Sequence, residues 1–387
     1  MVANRYPLSL WGRSVMRSLL FIVASFCVTI LCWGIYLPTL HVGQVEMSTI
    51  AGAPARLRPF VCVGLAYFLV GVIVPAVMLK LRGEKGVWSA TGIIWSLAGG
   101  TLGALGALGI VMAFNFGGRP VYVAPLVFGG APVVNAFLTI YLAGRMREIG
   151  PLFLTGLTMV LLGSVTVLIA APKKEPAPKA AAAASDMAGA NANSADSAET
   201  AMPWSRDLRQ FVLQMLSIAT TIVSWGSYGV TLHKGQAAMG NSRLRPFLCV
   251  GLAYFALAVI IPFLILAVSP EASEFNVRGT LWSTAAGTAG ALGALGIIMA
   301  FNFGGKPVFV MPLVYGGAPV VATLVSTALA GLWGLIGPMF LAGLILVIAG
   351  AVMVLVFAPK GHAPATPIES EPGRPAPGAQ DDPKPTS

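Results

Sequence analysis

Hydrophobic positions in this chain gather in long unbroken runs, and the polar positions fall between them. A helix needs about 20 apolar residues to cross a bilayer. Ten runs qualify. The first half holds Ser18–Leu37, Pro59–Leu79, Ala90–Phe114, Pro120–Ala143 and Pro151–Ala171. The second half holds Phe211–Val230, Pro246–Ala267, Val277–Phe301, Pro307–Ala330 and Pro338–Phe357. Several open on proline, whose missing N–H is not needed in a first helical turn. The expected fold is an all-α polytopic membrane protein of ten transmembrane helices.

The two halves repeat one another. Gly103–Val134 recurs as Gly290–Val321, with Phe301 matching Phe114 at an offset of 187 residues (301 − 114). The match extends to Arg56–Phe68 against Arg243–Phe255. It also takes in Trp33-Gly-Ile-Tyr36 against Trp225-Gly-Ser-Tyr228, and Thr39–Gln44 against Thr231–Gln236. Before the Arg56 block the offset is 192 (225 − 33), so the first loop is longer in the first half. Five spans per unit is an odd number. The second unit therefore begins on the opposite side, which gives inverted repeats, a construction of many secondary transporters. The domains expected are an N-terminus over 1–17, repeats over 18–171 and 211–357, a low-complexity linker over 172–210, and a Pro- and acid-rich tail over 358–387. Linker and tail carry too little apolar surface to fold alone.

Composition agrees. Of 387 residues, 56% are hydrophobic and only 10% charged, and the mean hydropathy is +0.81. Soluble domains carry about 25% charged residues, so the expected solvent is lipid. The net charge of +10 is scattered at the ends of apolar runs. It suits loops against anionic lipid rather than a nucleic-acid face. Basic residues favour the side of the N-terminus, which predicts both termini in the cytoplasm, with the cell (inner) membrane as location. The expected partners are the bilayer and a small-molecule solute, with a homodimer the expected self-association. The four cysteines have no metal-site or disulfide spacing. No metal, cofactor or enzymatic activity is expected.

All fourteen acids fall in loops, linker or tail. Intramembrane acids are the usual proton or cation relays, so coupling through one is not expected. The Gly103-x-x-Gly106-x-x-Gly109 stripe reads as a face for close helix packing in lipid, not as a dinucleotide loop. Matched breaks in the two halves point to a transporter's site. Here they are Pro125, Gly129, Gly130 and Pro132, against Pro312, Gly316, Gly317 and Pro319, and they are assigned to hinge or cavity.

Polar and aromatic residues recur in pairs. Tyr67 with Tyr254, Thr101 with Thr288, Trp95 with Trp282 and Asn115 with Asn302 are the candidate solute contacts. Rings, hydroxyls and amides suit a neutral polar solute such as a sugar, ureide or nucleobase. Trp33, Tyr36, Trp225 and Tyr228 read instead as interfacial belt residues. Arg58, Arg245, His41 and His233 sit at span ends as mouth charges. Arginine there snorkels to the interface, and imidazole titrates near neutral pH.

Ten spans in two five-span units, a Trp-Gly pair in the first and sixth spans, and Gly-rich third and eighth spans resemble the drug/metabolite transporter superfamily. Trp33-Gly-Ile-Tyr36 and Trp225-Gly-Ser-Tyr228 look most like its EamA-type and sugar- or ureide-uptake branches. The resemblance implies an alternating-access carrier. Its central cavity would be lined by the first, third, fourth, sixth, eighth and ninth spans. Two rival expectations are an exporter of hydrophobic or amphipathic compounds and a non-transporting membrane scaffold.

Overall fold

The computed structural model describes residues 8–50, 53–142, 144–172, 203–303 and 307–359. The greater part of the linker and the tail lies outside them. The helices are α1 (Leu8–Met47), α2 (Leu57–Arg82), α3 (Ala90–Asn115), α4 (Pro120–Leu142), α5 (Pro151–Ile169), α6 (Pro203–Ala238), α7 (Leu244–Val268), α8 (Val277–Asn302), α9 (Pro307–Ala330) and α10 (Pro338–Phe357). Each of the ten contains a stretch long and apolar enough to cross a membrane. The chain is an all-α polytopic integral membrane protein.

Two helices outrun the expected spans. α1 begins at Leu8 and continues through Pro38 to Met47, where the sequence suggested a stop at Leu37. α6 begins at Pro203, inside the segment assigned to the linker, and runs to Ala238. Both extended C-terminal ends lie along a helix of the other half. Gly43 of α1 abuts Ser283 of α8, and Gly235 of α6 abuts Ser96 of α3. Apolarity alone gives no sign of such contacts.

The glycine stripes explain this packing. α1 lies against α8 with Trp33 over Gly293 and Thr29 over Gly296. Trp33 Nε1 donates to the Gly290 carbonyl at 3.3 Å, and Thr29 Oγ1 to that of Gly293 at 3.0 Å. α6 repeats the pattern on α3. Trp225 covers Gly106 and Thr221 covers Gly109, while Trp225 Nε1 reaches the Gly103 carbonyl at 3.1 Å and Thr221 Oγ1 that of Gly106 at 3.0 Å. A helix without side chains on one face lets a large ring approach its backbone, and the indole N–H finds a partner there.

α2 and α7 cross near Gly71 and Gly251. Each widens to a π-helical turn, Leu69–Ile73 in α2 and Ala256–Ile260 in α7. Pro75 and Pro262 follow at once. Proline has no N–H for the i−4 carbonyl and its ring crowds that group, and a wider turn relieves both. α5 packs on α10 through Gly156, Gly163, Gly343 and Gly350.

Candidate functional site

The crossing of α2 and α7 brings Tyr67 and Tyr254 face to face. Their rings are 3.6 Å apart between centroids and 1° from parallel. Ring pairs usually sit offset or edge-on at about 4.5–7 Å, so this stack is unusually close. It borders a chamber of about 40 Å³ lined by Trp33, Tyr36, Phe128, Trp225, Tyr228 and Tyr315, with Gly103 and Gly290 at its sides. The lining is almost wholly paired: Trp33 with Trp225, Tyr36 with Tyr228, Phe128 with Tyr315. Among the described residues no charged side chain lines it.

The free hydrogen-bonding groups of this chamber are hydroxyls. Both indole N–H groups are taken by the Gly290 and Gly103 carbonyls. Tyr36 and Tyr228, 4% and 9% exposed, have buried hydroxyl oxygens without a partner. An unsatisfied buried hydroxyl costs roughly 1–3 kcal/mol, and two at corresponding positions of one chamber mark a place for a water or a solute. At about 10–15 Å³ per water, 40 Å³ admits a few.

One side of the chamber continues outward. A vestibule of about 180 Å³ shares Trp33 and Tyr228 with it and passes Asn135, His233, Gln236 and Phe301. Asn135 Nδ2 donates to the Gly226 carbonyl at 3.0 Å. On the opposite side the counterparts of these residues separate the chamber from two outer pockets of about 360 and 570 Å³, both lined by His41 and Arg119. Phe114, which corresponds to Phe301, is buried with the His41 ring edge-on at 4.9 Å. Gln44 Nε2 donates to the Ala55 carbonyl at 2.7 Å and to that of Val111 at 3.1 Å. Asn115 Nδ2 donates to the Pro54 carbonyl at 2.8 Å. Pro54 and Ala55 belong to the connection that is longer in the first half, so the seal uses residues without a simple counterpart in the second.

No protein-family model matches the chain, and no curated protein matches it. A solved structure described as "Crystal structure of protein" is similar, with a TM-score of 0.52 and 18% identity over 86% of this chain and 98% of the other. That likeness concerns the arrangement of the helices alone.

Of the candidate contacts, the structure brings only Tyr67 and Tyr254 to the chamber. Thr288 Oγ1 bonds the Thr284 carbonyl of its own helix, and Thr101 is half-buried away from the chamber. Trp95 is 37% exposed, with Lys234 Nζ 4.6 Å from its ring centroid, and Trp282 is half-buried at the equivalent place. Asn115 serves the seal, and Asn302 is exposed near Glu84 and Arg243. The chamber instead uses Trp33, Tyr36, Trp225 and Tyr228, read from sequence as belt residues. Their recurrence was the available signal, but placement near span ends pointed to the interface. The longer helices put them deep inside.

The matched breaks do not split their helices. α4 runs unbroken through Pro125 and Pro132. Gly129 meets Val347 of α10, Gly130 meets Ile222 of α6, and Gly317 meets Ile30 of α1. Gly316 faces Ile348 and Val352, and Pro319 is buried. The side chain of Pro312 lies outside the described residues. These small residues seat α4 and α9 against their neighbours, and the chamber receives Phe128 and Tyr315 from beside them.

Arg58 and Arg245 are not free mouth charges. Arg58 Nη1 donates to Ser273 Oγ at 2.5 Å and to the Glu271 carbonyl at 3.2 Å, its guanidinium 5.6 Å from the Phe275 ring. Arg245 Nη2 donates to the Glu84 carbonyl at 3.3 Å and stands 5.7 Å from the Trp88 ring. The loop acids Glu84 and Glu271, which sequence reasoning set aside, hold these clusters. Glu271 accepts from the backbone N–H of Arg56 at 2.7 Å and of Leu57 at 3.0 Å, at the start of α2. Glu84 accepts from those of Arg243 at 2.9 Å and Leu244 at 3.1 Å, at the start of α7. Each repeat thus caps a helix of the other, satisfying N–H groups that no local side chain serves. Burial by itself raises both carboxyls. The hydrogen bonds from Ser242, Arg243 and Leu244 outweigh it at Glu84, those from Arg56, Leu57 and Ser273 outweigh it at Glu271, and both are held below the usual range.

Proposed function

We propose that the protein is a secondary transporter that moves a small organic solute by alternating access, as an EamA-like member of the drug/metabolite transporter superfamily. The observation that carries this reading is the chamber, an aromatic space between the two repeats lined by Tyr36 and Tyr228, whose buried hydroxyls have no partner.

The asymmetry around the chamber supports the same reading. In inverted repeats, corresponding residues lie at opposite faces, and alternating access has each half take up the other's arrangement in turn. Here the Gln44 side is closed by hydrogen bonds while its counterpart Gln236 lines a vestibule. With both termini cytoplasmic, that vestibule faces the cytoplasm and the sealed side faces out.

Reporter tags before Ser18 and within the alanine tract near Ala182 test the inversion. The carrier reading expects them on opposite faces, and it fails if they share one. Reconstitution tests the activity: proteoliposomes should take up at least one of a panel of labelled sugars, ureides and nucleobases faster than protein-free vesicles. The exporter reading would be favoured instead by drug resistance in an efflux-deficient host, and no flux with either panel counts against transport.

A further inference from the structure

The chamber's chemistry narrows the solute, granted that the chamber is where a solute binds. We infer that it takes a flat, uncharged heteroaromatic ring and not a sugar or an organic cation.

Polar capacity argues against a sugar. A hexose brings several hydroxyls, each of which needs a partner when buried. The chamber's indole donors are already spent on the Gly290 and Gly103 carbonyls. Its orphaned groups are the Tyr36 and Tyr228 hydroxyls, which come from opposite repeats. A solute with polar atoms on two edges and apolar faces would satisfy both and leave nothing unpaired. A hydroxyl both donates and accepts, so the edges can be N–H, C=O or ring nitrogen.

Charge argues against a cation. Aromatic faces attract cations, yet among the described residues no acidic side chain lines the chamber or the vestibule. A buried charge without a counter-ion is costly. The loop acids Glu84 and Glu271 are committed to helix caps and arginine partners at the two faces.

Shape argues for flatness. The chamber is bounded by ring faces, and the stack of Tyr67 on Tyr254 is parallel to within 1°. Centroids 3.6 Å apart are closer than the separation of about 4.5–7 Å that ring pairs usually keep. Sliding one ring past the other exposes two parallel faces to a third ring, and an electron-poor heterocycle would stack there better than the tyrosines do on each other. The chamber of about 40 Å³ is too small for a ring by itself, but with the vestibule of about 180 Å³ that shares Trp33 and Tyr228 it has room for about one ring system, since an apolar cavity of about 150 Å³ holds a benzene.

Calorimetric titration of detergent-solubilised protein with uracil, adenine, glucose and tetramethylammonium tests the assignment. Saturable binding of uracil or adenine is expected, with glucose and tetramethylammonium silent. Tyr36→Phe and Tyr228→Phe should each weaken that binding roughly three- to tenfold, the loss of one hydrogen bond, at an unchanged melting temperature. Phe128→Leu, which removes a ring face and keeps both hydroxyls, should weaken it also. The inference is overturned if neither heterocycle binds, if glucose or tetramethylammonium binds more tightly, or if the tyrosine variants bind as the native chain does. Failure of the carrier reading has a different signature: the heterocycles bind, depend on Tyr36 and Tyr228, and do not cross proteoliposome membranes. Flux of glucose without heterocycle binding keeps a carrier and removes the flat-ring solute.

Discussion

Arg243 donates its Nε–H to the Glu84 carboxylate at 2.8 Å, joining the two repeats at one face of the protein. Glu271 and Arg56 do the same at the other face, at 3.0 Å. The carboxylates are 6% exposed in both clusters, so these are more than surface ion pairs.

Each cluster should therefore contribute to stability in a pH-dependent way. The carboxyls fall below their ordinary value of 4.5 in the folded chain. Their contribution is complete above that value and is lost as pH drops through the lower folded value. Glu84→Gln should lower the melting temperature at pH 7, by the equivalent of about 1–3 kcal/mol for a buried charged acceptor. The gap between variant and native melting curves should close as the pH is taken well below 4.5. A gap that persists in acid would show that the charge is not what the cluster uses.

Gly106→Ala and Gly293→Ala should destabilise the protein, since a Cβ at either position would run into the Trp225 or Trp33 ring. Overpacking of this kind costs about 1–3 kcal/mol, and these rings have the chamber on their other side. Gly150→Ala is the matched control, because a Cβ there meets nothing within 4 Å. Melting temperatures of the three variants in detergent check the contrast. Equal values for all three would remove the stripe from the packing account.

The two sides of the chamber should differ in access. His233 is exposed in the vestibule that meets the chamber, whereas His41 is half-buried with its ring against Phe114, beside the segment that Gln44 and Asn115 hold. In detergent, His233→Cys should react with a polar maleimide several-fold faster than His41→Cys. Adding Gln44→Ala and Asn115→Ala should raise the His41→Cys rate toward the other. Mass spectrometry of the labelled peptides reads both rates apart from the native thiols.

Much of the fold was legible in the chain. Ten apolar runs predicted ten helices, since a backbone in lipid must satisfy its own hydrogen bonds. The glycine stripe predicted close packing, and Trp225 and Trp33 now show what occupies it. The candidate contacts fared unevenly. Tyr67 and Tyr254 lie at the chamber. Thr101, Thr288, Trp95 and Trp282 recur just as faithfully and do not. Recurrence marks a residue that both halves keep, and a residue kept for packing repeats as well as one kept for a solute.

The sequence by itself determined the solvent, the number of helices and the correspondence between halves, because these follow from apolar run length and from self-similarity. Only the tertiary structure decided that Trp33, Tyr36, Trp225 and Tyr228 lie inside, and that the indoles are spent while two hydroxyls are left free. It also decided that Glu84 and Glu271 cap helices of the opposite repeat. The physical reason is common to all three. Each depends on which face of a long helix meets which neighbour, and a helix that is apolar on every side carries no periodic mark of its inward face.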